Sequence, residues 1–336
     1  MNTLKHFIIP IFLPQAGCPY QCVFCDQHAI TGERNAYPDI KTIEENINNY
    51  LSFNKHKNSY IQISFYGGNF LGLPKKKIIK YLECAQSFVD EKKVNSIRFS
   101  TRPDTVTDNR LKLIKKYAIK TIELGVQSMN DHVLKLAQRG HKSIDSYKAT
   151  KLIRSEGYQI GHQIMIGLPG ENEQTYEKSI DHVIKMHPDF VRLYPTLVLK
   201  SSILADWYLS GRYEPLSIKL AVKIAKKSLI LFQSNNIKVI RMGLQTQENL
   251  ENSILAGPFH PAFGHMVKSE YMLDCVKEKI QLSSSFNISI LINPKFMSRL
   301  TGLEKNNLKR LKSFFPKKHI QVIPDPGIKV FSIFEH

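Results

Sequence analysis

The chain has 336 residues, enough for one large α/β barrel with an appendage or for about two domains. Hydrophobic residues make up 42% and charged residues 23%, a globular composition that excludes disorder as a global description. The 47 Lys and Arg against 29 Asp and Glu leave a formal charge of +18, which points to a polyanionic partner such as RNA, although a Lys- and Asn-rich proteome would raise the charge of every protein alike.

The first segment, Met1 to Cys18, has an apolar run ahead of Ala16-Gly17-Cys18, the outline of a lipoprotein cleavage site. Two prolines break that run, and Gln15 stands where such a site needs an aliphatic residue. It reads better as a buried first strand with a loop after it. No apolar run approaches a membrane span, and five cysteines are too few and too odd for a secreted disulfide scaffold. The expected location is cytoplasmic, with no membrane partner.

Short apolar runs rich in Ile, Val and Phe predict strands near 7–13, 60–66, 96–101, 120–126, 159–166 and 189–194. Helical patterns lie between them, such as Ile78, Leu82, Ala85 and Phe88, or Leu111, Ile114 and Ala118. Six successive βα units predict a parallel sheet with helices outside, open or curled into a partial barrel. A long helix at 216–235 and a strand at 237–242 follow, so residues 1–245 form the expected core. Residues 246–336 form an expected α+β extension, reading helix, strand, helix, strand, strand from 266 on. Between Lys295 and Lys329 it carries nine Lys/Arg against Glu304 and Asp325. This basic tail suits phosphates or is a solvated charged face.

The strongest local signal is Cys18-Pro-Tyr-Gln-Cys22-Val-Phe-Cys25, a CxxxCxxC directly after the first strand. That loop is at the strand's C-terminal end, the face on which α/β barrels keep their chemistry. Three thiolates on one short loop suit a soft metal centre. An iron–sulfur cluster bound by three would leave one iron without a protein ligand. On spacing alone, His28 could instead complete a Cys3His zinc site. Cys84 and Cys275 sit alone in helical patterns and are expected to be small buried residues.

CxxxCxxC with an aromatic before the third cysteine resembles the signature of the radical S-adenosylmethionine (radical SAM) superfamily. Phe65-Tyr66-Gly67-Gly68-Asn69 resembles its glycine-rich methionine-binding segment. Thr101-Arg102-Pro103-Asp104, Glu123-Leu124-Gly125-Val126-Gln127-Ser128 and Arg139-Gly140-His141 resemble the radical domain of the Elongator catalytic subunit. His162 to Gly170, Tyr194 to Val198 and Leu209-Ser210-Gly211-Arg212-Tyr213 continue that match. Oxygen-independent coproporphyrinogen oxidases share the early motifs and match the later ones less well. The Elongator subunit has a wider first cysteine gap, Glu where Ser100 stands, and an acetyltransferase domain for which the tail here is too short.

The resemblance implies a partial (β/α)6 TIM-like barrel of the radical SAM type with a small basic α+β extension. It implies a [4Fe-4S] cluster on Cys18, Cys22 and Cys25, and S-adenosyl-L-methionine cleaved there reductively to a 5′-deoxyadenosyl radical. Phe24, Met165 and Gly167 would flank the adenine. Gly67 and Gly68 would take the methionine amino group, with Asn69 and Ser100 nearby. Gln127 would bond the ribose, and Arg139 the methionine carboxylate. A reductant such as ferredoxin or flavodoxin is implied, and tRNA modification is the favoured reaction class. A radical enzyme on a small metabolite or porphyrin, and a zinc-stabilised RNA-binding module without turnover, are the alternatives. His260 and His265 form a possible further site or an ordinary turn.

Overall fold

The computed structural model describes residues 5–32, 37–55, 59–244 and 248–335. Its strands are β1 (Lys5–Phe12), β2 (Ser59–Tyr66), β3 (Ser96–Thr101), β4 (Ile119–Gln127), β5 (Gln159–Ile166) and β6 (Phe190–Pro195). There follow β7 (Val198–Leu199), β8 (Lys238–Met242), β9 (Ile254–Ala256), β10 (Asn287–Ile292), β11 (His319–Pro324) and β12 (Phe331–Glu335). The helices are α1 (Gln27–Thr31), α2 (Ile40–Phe53), α3 (Lys75–Asp90), α4 (Asp108–Ile114), α5 (Asp131–Leu136), α6 (Ser143–Ser155) and α7 (Glu173–Lys185). After them come α8 (Ile203–Leu209), α9 (Ile218–Ser234), α10 (Glu248–Ser253), α11 (Phe263–Leu282), α12 (Met297–Thr301) and α13 (Asn306–Phe314).

Seven strands make one parallel sheet in the order β1-β2-β3-β4-β5-β6-β8. The six expected strands are all there, and β8 adds a seventh beside β6. Outward side chains such as Ile63, Phe65, Ile97 and Phe99 are fully buried under the helices, where Phe65 stacks on Tyr81 of α3. Inward positions are polar: Gln62, Ser64, Arg98, Ser100, Thr121 and Glu123 are all buried. The sheet is curled, and one bond proves it. Arg192 Nη2 on β6 donates to Tyr66 Oη on β2 at 3.1 Å. In a flat sheet, four strand spacings of about 4.8 Å would hold those strands roughly 19 Å apart.

The polar interior centres on Glu123, fully buried between Arg98 (2.7 Å) and Arg192 (2.8 Å). Burial pushes this carboxyl up, but the guanidiniums of Arg192 and Arg98 outweigh it and hold it below its ordinary value. Gln163 Nε2 donates to Glu123 and to Ser100, each at 3.1 Å, completing the network.

The tail forms a second sheet, β11-β10-β12, with its own core of Leu273, Val276, Ile280, Ile288 and Ile290. Helix α11 joins the two cores: Phe263 and Val267 belong to the barrel core, Leu273 and Val276 to the tail core. Cys84 is buried as expected, whereas Cys275 is half-buried on α11, where it is hydrogen-bonded to Tyr271 one turn earlier. No helix among the described residues is long and apolar enough to cross a membrane.

Candidate active site

The cysteine loop leaves β1 at Leu13 and is held by backbone contacts along its length. Leu13 N donates to Tyr66 O at 2.8 Å, and Asn69 N to Ala16 O at 2.8 Å. Val23 N donates to Ala137 O, and Val23 O accepts from Leu204 N at the start of α8. The loop is therefore tied to β2, α5 and α8 at once, at the C-terminal end of the barrel.

Glycines make the closest approach possible. A Cβ on Gly68 would run into the backbone oxygens of Leu13 and Ala16, and one on Gly17 into Asn69 O and Leu73 N. Part of the glycine signal thus serves the docking of the cysteine loop on β2. Gly67, at φ +94°, adopts the backbone that side chains resist.

Asn69 has no exposed surface and is spent on the protein itself. Its Nδ2 donates to Gly17 O at 2.9 Å, and its Oδ1 accepts from Thr101 Oγ1, Thr105 Oγ1 and Arg102 N. These bonds buckle the loop to β3. Ser100 lies deeper, inside the polar network of the barrel.

Arg139 is where the loop meets β4. Its Nη1 donates to Cys22 Sγ at 3.2 Å and its Nη2 to Gly125 O at 2.7 Å, while its Nε is buried without a partner. Arg102 supports it, donating to the Arg139 carbonyl and bridging Asp104 through two bonds of 3.0 and 3.1 Å. The Arg102 guanidinium lies 5.1 Å from the ring centroid of Tyr20, itself in the cysteine loop. Burial pushes the Cys18 and Cys25 thiols up, with Cys22 beside them adding to the rise. Loading such thiols with metal releases protons. Among the described residues, no three His, Cys, Asp or Glu side chains converge on a point that one ion could occupy. His28 is exposed on α1.

The other expected residues lie at strand ends. Gln127 closes β4 at φ +65°, a strained conformation for a non-glycine residue, and its Oε1 is buried with no partner. Met165 packs with Val23, and Phe24 leans on the same cluster. Gly167, at φ +81°, accepts from Tyr213 Oη at 2.7 Å and donates to Glu171 Oε2 at 2.7 Å. Sequence motifs alone do not single out Tyr213 and Glu171; the Leu209–Tyr213 and Gly167–Gly170 motifs are visible, but only folding places them side by side. His260 is a turn residue whose Nδ1 accepts from Ala262 N at 2.9 Å.

The chain matches the family model of the radical SAM superfamily over residues 12–183. It belongs to the radical SAM superfamily. A model of the radical SAM C-terminal domain matches residues 188–272. This radical SAM enzyme is 24% identical over 257 residues to a tRNA uridine(34) acetyltransferase of Methanocaldococcus infernus, covering 65% of this chain and 48% of the relative. It is 26% identical over 197 residues to Elongator complex protein 3 of Saccharomyces cerevisiae, covering 52% and 35%. The chain thus spans about half the length of the archaeal relative and about a third of the yeast one. The solved archaeal Methanocaldococcus infernus Elp3 shares the fold, with a TM-score of 0.63 at 20% identity, covering 84% of this chain and 65% of that one. Membership of a family of enzymes removes the reading as a zinc module without turnover.

Proposed function

We propose that this radical SAM enzyme modifies RNA, with Cys18, Cys22 and Cys25 holding a [4Fe-4S] cluster. The observation that carries the cluster assignment is the Arg139 donor on Cys22 Sγ at the mouth of the barrel. A guanidinium donor on that sulfur suits the negative charge of a metal-bound thiolate. A cluster also spreads its thiolates over separate irons, so it does not require the single meeting point that zinc needs.

Around that loop the residues suit S-adenosylmethionine. The unpartnered Gln127 Oε1 is an acceptor in want of a donor, which a ribose hydroxyl supplies. Gly67 and Gly68 present backbone carbonyls to the methionine ammonium. Arg139 has guanidinium capacity left at Nε for the carboxylate. Phe24, Met165 and Gly167 make the apolar wall for adenine, and Ser100 and Asn69 hold the strands and loop beneath. When bound, the cluster and cofactor supply one-electron cleavage of the sulfonium to methionine and a 5′-deoxyadenosyl radical. The chain's part is to orient the cofactor and exclude water. The electron comes from an external reductant such as ferredoxin or flavodoxin.

Two facts support RNA as substrate: the relatives named for tRNA uridine 34, and the net charge of +18. The test is anaerobic reconstitution with iron and sulfide, then S-adenosylmethionine and dithionite. Wild type should release 5′-deoxyadenosine and Cys25→Ala should release none. Release by the variant would overturn the ligand assignment. Binding of tRNA that weakens steeply with salt would support the substrate class.

A further inference from the structure

The chain leaves β6 and β8 at the C-terminal end of the barrel, and beyond the β7–β9 ribbon the first turns of α9 and α11 return to that cysteine-loop side. Two contacts agree. A Cβ on Gly167, at the end of β5, would meet Leu216 at 2.7 Å, and Leu216 directly precedes the α9 cap Ser217. A Cβ on Gly243, just past β8, would meet Phe263 at the start of α11 at 3.0 Å. Between these first turns and α13 runs a groove of about 710 Å³.

Four cations line it, Lys219, Lys223, Lys226 and Arg310, against one carboxylate, Glu270. Arg310 grips Glu270 through both guanidinium nitrogens, and Lys226 pairs with Asp274. Lys219 and Lys223 are exposed and have no carboxylate partner among the described residues. No acidic residue stands in the first turn of α9, α11 or α13 to offset them. Leu220 and Leu303 stay 39% exposed in the same groove. Free cations beside exposed apolar surface match a nucleic-acid strand, which offers phosphates and flat base or sugar faces together.

We infer that this groove docks the backbone of the RNA substrate outside the cofactor site, with Lys219 and Lys223 on phosphates and Leu220 and Leu303 against a base or ribose. The inference rests on the RNA reading above and adds where the RNA lies. It is tested on reconstituted holoenzyme by fluorescence anisotropy with labelled unfractionated tRNA over a sodium chloride series. The groove pair Lys219→Glu with Lys223→Glu is compared with Lys148→Glu and Lys151→Glu, two exposed lysines of α6.

The groove pair should weaken binding about tenfold or more and lower the slope of log affinity against log salt by roughly 1.5 to 2. The α6 pair should cost less than about threefold. Visible absorbance of the cluster should match wild type in both, showing an intact core. An equal loss in the two pairs, or no loss in the groove pair, would overturn the groove. Wild type that carries the cluster yet binds no tRNA would overturn the RNA reading along with it. Binding by wild type with an unaffected groove pair would overturn the groove alone.

Discussion

Under the cysteine loop, Asn69 gives its acceptor oxygen to three donors and its amide to Gly17, leaving it no surface. Gly68 works beside it as the point where two backbones touch. In Gly68→Ala the new Cβ would meet backbone oxygens of Leu13 and Ala16, which cannot swing away. Overpacking of this kind costs about 1–3 kcal/mol. We expect a lower urea midpoint and a reduced iron content after reconstitution, measured together on the variant. Glu171 is a second such residue. Burial raises its carboxyl to about 8, against the pull of the Gly167 and Leu168 amides that donate to it. Its folded value lies above the unfolded one. The stability it contributes is therefore complete below about pH 4.5 and is lost as pH rises through about 8. Glu171→Gln keeps an acceptor and removes the titration. Urea unfolding of the apo protein at pH 5 and pH 8 should show the variant gaining on wild type by about 1 kcal/mol or more at the higher pH.

Among the elements, the short ones do the holding. The β7–β9 ribbon carries Leu199 and Ile254 into a cluster with Leu250 of α10 and Ile30 of α1, the helix that directly follows Cys25. Two residues of strand give no periodic pattern, so β7 has no signal in the sequence. The long strands do, because Ile63, Phe65, Ile97 and Phe99 alternate with polar residues. That alternation says which face is greasy. It does not say that the polar face curls inward until Arg192 meets Tyr66 and Glu123. Five strands meet at Glu123, through Tyr66 of β2, Arg98 of β3, Gln163 of β5, Arg192 of β6 and its own β4, and its loss would leave Arg98 and Arg192 buried without a countercharge. Glu123→Leu should cost about 3–5 kcal/mol, read from the urea midpoint of the apo protein.

For the whole molecule, α11 is the shared wall of two cores. Ending the chain after Ser283 would strip the partners from Met272, Leu273, Val276 and Ile280 while leaving them attached to the barrel. We expect that truncated protein to aggregate on size-exclusion chromatography, whereas a tail that is only an ornament would leave a monodisperse barrel. The order of βα units, the thiol loop at the end of the first strand and the glycines at the ends of β2 and β5 are local features. Hydrophobic period, residue type and spacing determine them, so the sequence by itself determined the run of βα units and the cysteine set's place at the end of the first strand. Only the tertiary structure decided that Arg139 reaches Cys22 across 117 residues, that Glu123 lies between two arginines, and that Lys219 and Lys223 share a groove with α13. Such contacts join strands and helices far apart in sequence. Their partners are selected by how the sheet curls and where α11 packs, which no local window of residues encodes.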